Sequence, residues 1–126
     1  MCRDSRRIKQ AMNVTRLSEH KYPLASLLYK GSILISVGIN KYKSHPRQIN
    51  HYTEKVGASI HAELNCILGA SSDELKGAAL YIARRLCDGS SGLARPCASC
   101  MKVIEAAKIK RIIFTVYDGF ISEDIE

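Results

Sequence analysis

The chain has 126 residues, 46% of them hydrophobic, enough for one buried core and too few for two comfortable domains, so a single domain over 1–126 is expected. No apolar run approaches the length of a membrane span and the charged N-terminal stretch is not followed by an apolar signal core, which predicts a cytoplasmic protein with no membrane partner. The net charge of +7 is uneven: residues 1–55 carry eleven Lys/Arg against three Asp/Glu and 56–126 carry eight against nine, a field that favours phosphorylated substrates or nucleic acid over neutral nucleosides.

Asp4 or Ser5 is expected to cap a first helix running to about Glu19, with Ile8, Ala11, Met12, Thr15 and Leu17 on its apolar face and Arg6, Arg7 and Lys9 on its polar side. Residues 24–29 and 33–39 are apolar, β-prone runs separated by Lys30-Gly31-Ser32, the pattern of a hairpin. Residues 40–58 hold Asn40, Pro46, Asn50 and Gly57 with little periodicity and read as a long loop leading to a site. Ser59 opens a second helix whose stripe of Ile60, Leu64, Ile67 and Leu68 ends near Gly69.

A third strand is expected over 78–84, then a flexible connection over 85–95, rich in Gly and Ser, that ends at Pro96. A third helix starts at Cys97, with Met101, Ile104 and Ala107 or Lys108 at helical spacing; residues 111–116 form the next strand, and the tail from Tyr117 is acidic. After the initial helix, the order β-β-α-β-α-β predicts an α/β fold in which helices cover a mixed sheet.

The chemistry concentrates in two segments. His61-Ala62-Glu63 is followed by Pro96-Cys97-Ala98-Ser99-Cys100, with Cys97 standing 36 residues after His61. One imidazole and two thiols are ligands for Zn²⁺, and a site with three protein ligands keeps a tetrahedral position for water. Cys97 and Cys100 are three apart, so on a helix they share an edge, and in the first turn the unpaired N–H groups favour thiolate. Glu63 is left to move protons. His61 and Glu63, two apart, can share a site only at a helix start. Five cysteines, an odd number, fit reduced thiols and metal ligation better than a disulfide framework.

An H-x-E segment with a later P-C-x-x-C is the signature of zinc-dependent base deaminases. Over roughly residues 24–116 the chain resembles the cytidine/deoxycytidylate deaminase superfamily, in the branch whose first ligand is His. That resemblance implies a three-layer α/β/α sandwich around a mixed sheet of four to five strands, although little chain remains after residue 116 for a fifth. It implies Zn²⁺ held by His61, Cys97 and Cys100, with Glu63 as proton shuttle. It also implies attack at the amine-bearing carbon of a base, substrate contacts from Asn40 and from the backbone N–H near Ala62, and a homo-oligomer. The competing reading of Asn40 is a residue that turns tolerate.

Other residues carry less. His45 and His51 sit in the long loop near Lys41, Lys43 and Arg47, where a phosphate or a second metal is one reading and solvation the commoner one. His20, Cys2 and Cys87 lack motif context, and Cys66 reads as a small buried residue. Arg84, Arg85 and Arg95 flank the connection before Pro96, which is longer than in many members of the superfamily; they read as phosphate ligands or as a solvated rim. Tyr42, Tyr52 and Tyr81 are aromatic platforms or core.

The leading expectation is a zinc-dependent hydrolase that deaminates a cytosine nucleotide or nucleoside, deoxycytidylate above free cytidine. A deaminase acting on adenine or cytosine within tRNA or single-stranded nucleic acid is the alternative in the same class. A noncatalytic zinc-stabilised binding module is the alternative of another class, and Glu63 argues against it.

Overall fold

Consecutive residues of the central strands are buried on opposite sides, which makes this a sheet with two covered faces. The computed structural model describes residues 2–18, 20, 22–40 and 62–125. Its elements are α1 (Arg3–Val14), a 3₁₀ turn (Thr15–Leu17), β1 (Leu24–Lys30), β2 (Ile33–Ile39), α2 (Ala62–Leu68), α3 (Ser72–Leu75), β3 (Ala79–Arg85), β4 (Ser91–Gly92), α4 (Ala98–Ala106), β5 (Arg111–Val116) and β6 (Gly119–Asp124). The expected loop over 40–58 and the start of the second helix at Ser59 lie, apart from Asn40, outside the described residues.

The strands run β2-β1-β3-β5-β6 across the sheet, with β4 paired to the end of β3. β1 is antiparallel to both β2 and β3, β3 and β5 are parallel, and β6 returns antiparallel along β5. Lys30 pairs with Ile33, so Gly31-Ser32 is a two-residue turn; Gly31 has φ +61, a conformation that glycine adopts without steric cost.

Leu27, Tyr81, Ala83 and Ile113 point to one face, where Ile8 and Ala11 of α1 pack on them. Leu28, Leu80, Ile82, Ile112 and Phe114 point to the other, against Cys66 and Ile67 of α2, Leu75 of α3 and Ile104 of α4. The result is the expected α/β/α sandwich, each large buried side chain contributing about 1.5–3 kcal/mol.

Several details differ from the sequence reading. The first helix starts two or three residues earlier, because Cys2 is its N-cap and its sulfur accepts from Ser5 N–H. Arg7, placed on the polar side, is 9% exposed: it donates to Tyr81 Oη and Gly31 O, and its guanidinium lies 3.7 Å above the Tyr29 ring. Leu17 is exposed instead, since the helix tightens into the 3₁₀ turn before reaching it. α3 is an added turn held by a capping box between Ser71 and Glu74. The stretch over 85–95 folds back as a hairpin, with Leu86 N–H bonded to Ser90 O and Asp88 accepting from Ser90, and delivers β4 onto Arg84 and Arg85. The acidic tail makes β6, so five strands run in series and β4 is a sixth.

Candidate active site

β3 and β5 are parallel and end at the same edge, where β1 begins and β2 finishes. In α/β sheets this carboxyl edge is where ligands bind, because helix starts converge on it. α2 packs on β1 and β2, and α4 packs on α2.

α2 is held to the sheet by backbone-directed bonds. Ser26 Oγ donates to Ala62 O at 2.8 Å, Asn65 Nδ2 donates to Ile39 O at 3.0 Å, and Ser36 Oγ donates to Cys66 O at 2.8 Å. Gly38 lets the helix approach: a Cβ there would lie 2.5 Å from Cys66 N and 2.9 Å from Cys66 Cα, and closer still to Ala62 O. These contacts fix the start of α2, whose first turn carries Glu63, only 5% exposed. Ala62 beside it is fully buried. His61, the residue before, lies outside the described residues, as do His45 and His51.

Cys97 occupies the N-cap of α4 with φ −70 and ψ 171, and Cys100 stands in the first turn. Cys97 makes no side-chain capping bond, and both cysteines stand at the same helix end. Cys97 is exposed, Cys100 is buried, and no disulfide joins them. Pro96 precedes the cap and is itself buried, which seats the entry to the helix. Two thiols at one helix start are donors of the kind a borderline-soft divalent ion such as zinc takes. Among the described residues no group of three or more His, Cys, Asp or Glu side chains stands together as a metal site.

Cys66 has a different environment. It is fully buried on α2, its thiol donates to Ser36 O at 3.4 Å, and burial pushes its pKa up to about 11, with the nearby Glu63 charge acting in the same direction. It keeps its proton at neutral pH and belongs to the core.

Asn40 sits at the end of β2 and is 4% exposed. Its Oδ1 accepts from Ser18 Oγ at 2.6 Å and from Leu24 N–H at 3.0 Å, while Nδ2 donates to Tyr22 O at 2.7 Å. Both acceptor positions are used and one of two amide hydrogens is committed. The side chain thereby ties the chain entering β1 to the chain leaving β2. Ser18, Ser26, Ser36 and Gly38 had no signal in the sequence; their roles depend on what the fold brings opposite them.

Comparison with known proteins follows the same lines. Residues 1–116 match the model of a family described as the cytidine and deoxycytidylate deaminase zinc-binding region. No curated protein matches the sequence. Among solved structures, the apo dCMP deaminase of cyanophage S-TIM5 superposes with a TM-score of 0.65 at 19% identity, over 92% of this chain and 86% of that one. The same enzyme in complex with dCMP and dUMP gives 0.65 at 17% identity, over 90% and 82%. A cytidine deaminase from Mycobacterium leprae gives 0.56 at 16% identity, over 91% and 88%. At these identities the likeness establishes the fold. No helix among the described residues is long and apolar enough to cross a membrane.

Proposed function

The chain belongs to the cytidine and deoxycytidylate deaminase family, whose model spans residues 1–116, and from that premise we propose that it is a zinc-dependent hydrolase converting a cytosine nucleotide to the uracil form, with deoxycytidylate the favoured substrate. The observation that supports the reading is that α4, which carries Cys97 at its N-cap and Cys100 in its first turn, packs against α2, whose first turn carries a buried Glu63.

His61, Cys97 and Cys100 would hold the ion. Zinc, when bound, supplies Lewis acidity that brings the pKa of a water toward neutrality. The Glu63 carboxylate takes a proton from the attacking water and delivers it to N3 of the cytosine ring. C4 gains the oxygen; the second proton of that water passes to the amino nitrogen as the new C–O bond becomes the carbonyl, the C4–N bond breaks and ammonia leaves. Burial keeps Glu63 away from bulk water, so its proton goes to the ring and not to solvent. Asn40 and the backbone N–H near Ala62 orient the substrate. Exposed Ile33, Leu34 and Val37 on the edge strand β2 support a homo-oligomer.

Ammonia release from dCMP, cytidine and a tRNA substrate tests the reading directly, with zinc content measured alongside. Glu63→Gln is expected to keep its zinc and lose roughly 10²–10⁴-fold in kcat, whereas Cys97→Ala loses the ion as well. Turnover on tRNA alone would favour the nucleic-acid alternative. A zinc-loaded, folded wild type that deaminates none of the three would leave only a binding module.

A further inference from the structure

The outer face of α1 carries charge of one sign. Arg3, Arg6, Lys9, Gln10, Asn13 and Arg16 are exposed along α1 and the 3₁₀ turn that continues it. At 3.6 residues per turn they occupy less than half of the circumference, and the four cations form a row about 20 Å long. The single acid of α1, Asp4, turns the other way and is held by Arg111 and Tyr81. Ile8 and Ala11 bury the opposite face against the sheet. Among the described residues no carboxylate pairs with any of the four cations.

This arrangement works against the helix that bears it. Arg6 stands three residues from both Arg3 and Lys9, and like charges at that spacing destabilise a helix. Arg3 and Arg6 also lie in the first turn, where the helix dipole disfavours cations, while the last turn, where cations would help, holds none. A solvated face suited to helix stability would interleave acids with bases. Gln10 adds to the row as a donor: its Oε1 accepts from Tyr29 Oη at 2.6 Å, which commits the acceptor end and leaves the amide hydrogens on the cationic face.

A straight row of cations and donors, with no acid among them, matches a regular line of phosphates. We propose that the outer face of α1 binds the phosphodiester backbone of a nucleic acid, without reading its bases. Backbone contacts carry no base information, and the row holds no ring on which a base could stack. Tyr29, the nearest aromatic, has one face covered by the Arg7 guanidinium at 3.7 Å. An anionic membrane is the poorer match, because a helix lying in a bilayer surface inserts its apolar face and α1 has buried Ile8 and Ala11 in the protein. The row starts beside Asp4, which pairs with Arg111 at the start of β5, and ends two residues before Ser18, which bonds Asn40 at the carboxyl edge. A strand lying along it leads to the edge that carries the candidate active site.

The test is fluorescence anisotropy of a labelled oligonucleotide lacking cytosine, titrated with the zinc-loaded full chain between about 50 and 200 mM salt. Four phosphate contacts give a slope of log K on log salt of about −3 for a single strand and about −3.6 for a duplex, the former a loss of about 50-fold over that range. The tighter of the two forms names the ligand. Replacing Arg3, Arg6, Lys9 and Arg16 together by Gln is expected to abolish this binding, and Arg6→Gln alone to flatten the single-strand slope by about 0.7. The same change in net charge made at the exposed Lys76, Lys102, Lys108 and Lys110, each to Gln, should leave the slope as it is. The fourfold α1 variant loses its like-charge neighbours, so its thermal midpoint should equal or exceed that of the wild type; should it fail to fold, the Arg6→Gln slope decides. A wild-type slope near zero, binding retained without the four cations, or an equal loss in the lysine control would overturn the proposal. So would binding to vesicles of anionic phospholipid by a chain that ignores the oligonucleotide. Nothing here reads turnover, so a wild type inactive on every base would sink the deaminase reading and leave this one to its own slope.

Discussion

Gly38 shows how a residue with no chemistry of its own can govern the site. It faces the backbone of α2, where the obstructing atoms are Ala62 O, Cys66 N and Cys66 Cα, none of which can swing aside as a side chain would. Gly38→Ala is expected to push the first turn of α2 off the sheet, at a cost of roughly 1–3 kcal/mol, and to lower kcat more than it raises KM because Glu63 moves with the turn. Urea unfolding and steady-state kinetics on the same preparation check both; an unchanged midpoint would mean that the helix accommodates the methyl. At this scale the roles proposed for Glu63, Cys97 and Cys100 come from residue type and spacing alone. It did not display Gly38 or Ser26, because a glycine and a serine in apolar strands acquire meaning only from the helix that lands on them.

Among the elements, α1 is secured by a polar cluster at the end of the sheet away from the carboxyl edge. Asp4 pairs with Arg111 at 3.0 Å and accepts from Tyr81 Oη at 2.6 Å, while Arg7 reaches Tyr81 and Gly31. The Arg111 hydrogen bond holds the Asp4 carboxyl below its usual range against the opposing effect of burial, and burial followed by the Asp4 bond pushes the Tyr81 phenol up. The folded pKa of Asp4 is thus below the unfolded one. Its contribution is in full force above the ordinary carboxylate value of 3.8 and fades as pH falls through the lowered folded value. Asp4→Asn should cost about 1 kcal/mol at neutral pH, the scale of a part-exposed pair, and should flatten the loss of stability on acidification, read from thermal midpoints between pH 7 and pH 2. A variant that keeps the wild-type slope would show that other carboxylates set the acid limb. The arginine of this cluster was misread because a charged residue on an amphipathic helix is ordinarily solvated; Tyr29 and Tyr81, far off in sequence, give Arg7 two ring faces and a hydroxyl instead.

For the whole molecule, the two helix starts come from segments 36 residues apart, and an ion shared by Cys97, Cys100 and His61 would join them. Zinc bound only by the folded chain stabilises it by mass action, so removal by a chelator should lower the thermal midpoint by several degrees, and Cys97→Ala should show the lower midpoint with or without chelator. An identical midpoint before and after verified zinc removal would count against an ion in that position. The apolar runs of β1, β3 and β5, the helical stripes of α2 and α4, and the spacing of the motif were determined by the sequence itself, because apolar content, helical periodicity and ligand chemistry are local properties. The strand β6, the hairpin that carries β4, the burial of Arg7 and the pairing of Leu24 with Arg84 were decided only by the tertiary structure. Edge strands such as β6 are too exposed to show an apolar period, and a cation declares its partner only when the fold has supplied an anion, as Asp4 is supplied to Arg111.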